Sequence, residues 1–130
     1  MFYDFKSERM KNDLYENSSQ FLLGSNILVS PVLNANERKK KTFFPNDKFY
    51  SFYTGETVNV AEKLLTVEAP LNVLPIFFRA GFITPIQNNS EILSLKDLRK
   101  IPIDLVVALD GNYRASGSIV IDDGNCKTFY

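Results

Sequence analysis

The sequence predicts a mainly β chain built as an antiparallel sheet or sandwich. Three observations carry that prediction. From residue 27 onward short runs rich in Val, Ile, Phe and Tyr recur, clusters of Gly, Pro, Asn and Asp separate them, and helical periodicity is scarce. With 130 residues, 45% of them hydrophobic, the chain has the size and apolar content of one compact domain or a piece of a larger one.

The elements follow in order. Residues 6–16 are highly charged, with Met10 and Leu14 alone at helical spacing, a weak amphipathic helix. Residues 20–24 predict a short helical turn stopped by Gly24, a residue type that accepts the left-handed C-cap conformation. Residues 27–33 predict the first strand, and Pro31, which cannot donate to a ladder, places it at an edge or a strand end. A polar, basic turn covers residues 34–41. Residues 41–44 and 49–53 read as two strands about Pro45, Asn46 and Asp47, where proline and Asn/Asp favour a tight reversal, and Thr54, Gly55 and Glu56 close the second.

In residues 63–69, Leu65, Val67 and Ala69 alternate with Leu64, Thr66 and Glu68, a half-buried strand by its period of two. Residues 75–79 and 82–86 form two short strands that meet at Gly81, whose missing Cβ permits a bend or bulge. Residues 91–98 are the helical candidate of the second half. Residues 103–109 and 115–121 predict a hairpin closed through residues 110–114, with Ile103, Leu105, Val107 and Leu109 on one face of its first arm.

Composition narrows the chemistry. Fifteen Lys and Arg balance fifteen Asp and Glu, so no net field draws in nucleic acid, an anionic membrane or an acidic substrate. There is no histidine, which removes the commonest general base near neutral pH, the Ser-His-Asp and Cys-His devices, and nearly every ordinary zinc site. Cys126 is the only cysteine, so no intrachain disulfide forms and no cysteine-based metal cluster is expected. Neither cofactor nor metal is expected. Residues 1–9 carry charges where a signal peptide needs an apolar stretch, and no segment reaches the roughly 18 apolar residues of a membrane span. As written, the sequence reads as soluble and untargeted. Two glycosylation triplets, at Asn17 and Asn88, matter only in a secretory context.

Four landmarks now stand in order: QFLLG with ILVSPVL (residues 20–33), FYSFYTGE (49–56), APLNVLPIFFRAGFITPIQ (69–87) and IDLVVALDGNYRASGSIVIDDG (103–124). Together they resemble the region that follows the catalytic centre in glycoside hydrolase family 31, the lysosomal and intestinal α-glucosidase branch in particular. The resemblance covers about residues 2–124. It implies that residues 1–33 are the last part of a (β/α)8 barrel, with residues 27–30 in its final strand. Residues 34–87 would then be the proximal C-terminal β-domain, and residues 88–130 a linker and the first hairpin of a distal one. Lys6, Ser19, Ala80 and Ile121 depart from the family pattern at single positions.

Family members hydrolyse terminal α-linked glucose with two Asp residues carried on barrel loops upstream of everything present here. A complete barrel needs about 250 residues and roughly 30 are available, so the resemblance assigns no catalytic residue to this chain and implies that it is inactive alone. The partners it implies are a barrel-containing hydrolase chain or an α-glucan oligosaccharide, and relatives are often secretory or lysosomal. The alternative is a stand-alone, non-catalytic β-domain that binds carbohydrate or a protein.

The candidate site residues have plain structural explanations. Asp122 and Asp123 form a tempting pair, since retaining hydrolysis uses two carboxyl groups about 5–5.5 Å apart, but strand neighbours point to opposite faces and Asp-Asp-Gly-Asn is a turn sequence. Asp104 reads as a solvent-facing strand residue and Asp110 as a turn former. The aromatics Phe43, Phe44, Phe49, Tyr50, Phe52 and Tyr53 suit a sandwich core better than a sugar-stacking platform, with Tyr50 and Tyr53 the two candidates for exposed substrate contacts. Residues 38–41 read as a solvated turn, Arg79 as a structural arginine beside a bend, and Cys126 as a free thiol beside Lys127.

Overall fold

The computed structural model describes residue 5 and residues 19–60, 62–88, 94–98 and 100–121. The expected helix at residues 6–16, Asp122, Asp123, Cys126 and the glycosylation triplet at Asn17 lie outside them, apart from Ser19. Nine strands and one helical turn are described: β1 Phe21–Leu23, β2 Ile27–Val29, β3 Lys39–Phe44, β4 Asp47–Ser51, β5 Thr57–Val60, β6 Lys63–Glu68, β7 Ile76–Arg79, β8 Phe82–Ile86, α1 Leu95–Leu98 and β9 Asp104–Ala108. All strand pairs are antiparallel. They form a five-stranded sheet in the order β1-β2-β7-β4-β5 and two two-stranded sheets, β3-β6 and β8-β9.

The core lies between the five-stranded sheet and β3-β6. Leu28, Phe49 and Phe77 from the large sheet meet Phe44 of β3, with Leu65 and Val67 of β6 and Phe5, Leu22 and Val58 around them. Phe44 packs edge-on against Phe49 and Phe77, with ring centroids 5.6 and 4.9 Å apart. Burying each of these rings contributes about 2–3 kcal/mol, so the aromatic runs are chiefly core, as their alternation predicts. On β6 the expected alternation holds: Leu65, Val67 and Ala69 turn inward while Leu64, Thr66 and Glu68 are exposed.

Several expectations are corrected. Residues 20–24 are extended, not helical: Gly24, at φ +63°, instead turns the chain from β1 into β2. Positive φ at a glycine serves a hairpin as readily as a helix C-cap. β2, which the resemblance would place in the final strand of a barrel, pairs antiparallel with β1 on one side and β7 on the other. The bend at Pro45 and Asn46 is tight, with Asp47 N–H donating to the Pro45 carbonyl at 2.7 Å, but the strands it joins do not pair. It is a corner that carries the chain from one layer of the sandwich to the other.

Lys39, Lys40 and Lys41 belong to strand β3 and not to a turn. Lysine on an outer strand discourages pairing with other chains. The expected hairpin of residues 103–121 is half present. Its turn closes, with Asp110 N–H donating to Arg114 O at 2.9 Å, but its arms straddle β8. β9 pairs along one edge of β8, while Ser116 forms a parallel bridge to Phe82 and accepts from Ile83 N–H on the other edge. Gly81, at φ +85°, serves both: its N–H donates to Ala108 O and its carbonyl accepts from Ser116 N–H. Strand β5 had no counterpart in the sequence reading, and of residues 91–98 the described part, α1, is a single turn.

Candidate functional site

The most interlocked polar centre is built around Arg79, at the end of β7. Its Nε donates to Asp47 Oδ2 at 2.6 Å and its Nη1 to the Ser25 carbonyl at 3.3 Å. The guanidinium lies over the Phe5 ring at 4.5 Å and the Phe82 ring at 5.4 Å. One side chain thereby joins the start of β4, the β1-β2 turn, β8 and the N-terminal Phe5. Both hydrogen bonds go to protein, so the arrangement clamps elements together, and the structural reading of Arg79 is the one its geometry supports.

A second device is less visible in the sequence. The buried Gln20 side chain spans the backbone of Phe43, donating from Nε2 to its carbonyl and accepting from its N–H at Oε1 at 2.9 Å. Its amide thus takes the place of a neighbouring strand beside β3. Thr42 Oγ1, fully buried, donates to Ser30 Oγ at 2.8 Å, tying β3 to the end of β2. Among the described residues every buried side-chain nitrogen and oxygen has a partner, so none is left aimed at a missing ligand.

The two candidate tyrosines separate. Tyr50 donates its hydroxyl to Leu109 O at 2.6 Å and carries Lys48 Nζ 4.7 Å above its ring, so it tethers β4 to the end of β9. Tyr53 is 52% exposed and meets Phe52, 43% exposed, edge-on at 5.0 Å. Phe52 was read as core; its far side rests on Phe78 at 5.5 Å.

The carboxylates are accounted for in the same way. Asp110 Oδ1 accepts from the N–H groups of Asn112 and Arg114, the turn role expected of it, and Asp104 is exposed on β9. Hydrogen bonds from Lys100 and then Ser94 hold the Asp97 carboxyl below its ordinary value, the direction opposite to that of a general acid. Among the described residues no cluster of three or more His, Cys, Asp or Glu could hold a metal ion. An open groove of about 400 Å³ between residues 31–38 and 69–74 combines exposed Leu71 with Asn34, Asn36, Asn72, Glu37 and Arg38 and has no paired acid and base aimed into it.

Comparison with known proteins places this geometry. Residues 1–84 match the glycosyl hydrolase family 31 C-terminal domain. The chain belongs to glycoside hydrolase family 31. It is 35% identical to a probable alpha/beta-glucosidase of Arthroderma benhamiae over 96% of its own length and 14% of the relative's. It is 38% identical to an alpha-glucosidase of Mucor javanicus over 86% of its length and 13% of the relative's. Among solved structures, the glucosidase II alpha subunit superposes on 82% of the chain with a TM-score of 0.74 and 26% identity, using 12% of that protein. A family 31 α-xylosidase from a soil metagenome superposes on 60% with a TM-score of 0.52 and 30% identity. The chain therefore spans only 11–14% of the length of these family 31 relatives, in their C-terminal β region.

Proposed function

We propose that the chain is the non-catalytic C-terminal β portion of an α-glucosidase-type family 31 hydrolase, buttressing a barrel that supplies the catalytic carboxylates. The whole enzyme would release terminal α-linked glucose from oligosaccharides. The supporting observation is that the β1-β2-β7 part of the five-stranded sheet is apolar on both faces. Opposite the core face, register places Phe21, Leu23, Ile27, Val29, Ile76 and Phe78 together, with Phe21 47% and Leu23 60% exposed. Sheets apolar on both faces are covered on both faces. The test is the mass of the native polypeptide, probed with peptides from residues 103–121. A species several times heavier than 14.8 kDa that copurifies with α-glucosidase activity is expected. A free chain of 14.8 kDa would overturn the reading.

A second reading, a carbohydrate-binding module, draws on Tyr53, whose exposed ring stands beside the polar turn formed by Thr54 and Glu56. It requires α-glucan binding at millimolar sugar that is lost in Tyr53→Ala; absence of binding by the parent chain would remove it.

A further inference from the structure

Only Ala80 and Gly81 separate β7 from β8, yet the two strands belong to different sheets. β7 lies between β2 and β4 in the five-stranded sheet, and β8 pairs with β9. The change of sheet is made at a single peptide. Ala80 N–H donates to the Lys48 carbonyl of β4 at 2.8 Å, and the next N–H, that of Gly81, donates to Ala108 O of β9 at 2.7 Å. Gly81 is at φ +85°, a conformation that L side chains rarely adopt, and a Cβ there would meet Asp110 Cβ at 3.8 Å, an ordinary contact. Glycine is needed at this point by the backbone and not by crowding, so the joint itself does little to fix the angle between the sheets.

That angle is held beside the joint. A side-chain hydrogen bond crosses from each flank of β7. On the β4 side the Tyr50 hydroxyl donates to Leu109 O, just past the end of β9, at 2.6 Å. On the β2 side Asn26 Nδ2 donates to the buried Thr84 hydroxyl of β8, also at 2.6 Å. Both donors stand on β7's immediate neighbours: Tyr50 is paired with Phe78, and the Asn26 carbonyl accepts from Arg79 N–H at 2.8 Å. Between them the Arg79 guanidinium faces the Phe82 ring at 5.4 Å. Bonds on opposite flanks of a pivot resist swinging in either direction, which one bond does not.

We propose that Gly81 is a hinge and that Tyr50 and Asn26 are the latches that hold the β8-β9 sheet against the sandwich in one orientation. The segments that continue from β8 and β9 are carried at an angle set by these two side chains, and loss of both frees the sheet to swing about Gly81. The inference concerns a joint inside this chain and stands independently of the hydrolase reading.

The test is double electron–electron resonance in a Cys126→Ser background, with spin labels on Thr66→Cys of β6 and Leu105→Cys of β9, both exposed positions. Labels on Thr66→Cys and Thr57→Cys, both within the sandwich and exposed, form the control pair. With the latches intact a narrow distance distribution is expected for either pair. Tyr50→Phe and Asn26→Ala each remove one hydrogen bond and shift the closed-to-open ratio about five-fold, and together about 25-fold. In the double variant the distribution between positions 66 and 105 therefore widens at least about two-fold while that between 66 and 57 stays as it was. Far-UV circular dichroism reports whether each variant is folded; where the double variant is not, the two single variants decide by the same labels. No widening between 66 and 105, equal widening of both pairs, or a broad distribution between 66 and 105 with the latches intact would each overturn the proposal.

Discussion

Replacing Gln20 with Leu removes the amide that satisfies Phe43 while keeping a side chain of similar length. In the native fold this one residue, 6% exposed, satisfies the N–H and the carbonyl of Phe43, itself fully buried. Each buried backbone group left without a partner costs about 1–3 kcal/mol, partly offset by the apolar surface Leu gains, so the net loss is about 2–4 kcal/mol. For a domain of this size that lowers Tm by roughly 6–20 °C. Urea unfolding followed by far-UV circular dichroism measures the loss directly, since the chain has no tryptophan to follow. A change below about 0.5 kcal/mol, the level of an ordinary surface substitution, would refute the account of Gln20 as a substitute strand. Gln20→Glu sharpens the test. A buried carboxylate facing the Phe43 carbonyl would titrate above the usual value of about 4.3, so its destabilisation is full above that raised pKa and fades as pH falls and the acid becomes a donor again.

Three other outcomes follow from the packing. Gly117→Ala would place a Cβ 2.5 Å from the Ile83 carbonyl, so the segment after Arg114 has to shift from β8 and stability falls by about 1–3 kcal/mol in the same denaturation assay. Arg79→Met removes the ion-pair partner of Asp47 in a site where the two side chains are only 19% and 27% exposed, at a cost of about 1–3 kcal/mol, and Arg79→Lys restores only part because it lacks the fork that reaches both Asp47 and Ser25. Hydrogen bonds from Lys100 and Ser94 favour the charged form of Asp97 and hold its carboxyl below its ordinary value. Its contribution to the α1 turn is therefore present above that value and lost as pH falls through the lowered pKa, which carboxyl-carbon NMR reads directly.

Most strands were legible because their signals are local. Alternation in residues 63–69 and the glycine between β7 and β8 each name their own structure. Pairing was less legible, because it is decided by partners distant in sequence. Pro45 and Asn46 signal a sharp bend equally well for a hairpin and for a corner between layers, and only the contacts of Phe44 and Phe49 in the core distinguish them. The turn at residues 110–114 likewise does not say that β8 lies between its arms; Gly117, with no room for a Cβ against Ile83, was the residue that could have hinted at it. Residues 20–24 misled because three apolar residues followed by glycine fit a helical turn and a short strand alike. The Tyr50 tether and the Gln20 amide could not be read locally, since their partners lie 59 and 23 residues away.

The central proposal is that this chain is the non-catalytic β portion of a larger family 31 hydrolase, and release of nitrophenol from an aryl α-glucoside by the purified chain tests it most directly. The account predicts no release above the buffer rate at any chain concentration. Turnover that copurifies with the folded chain and disappears when it is unfolded would contradict it.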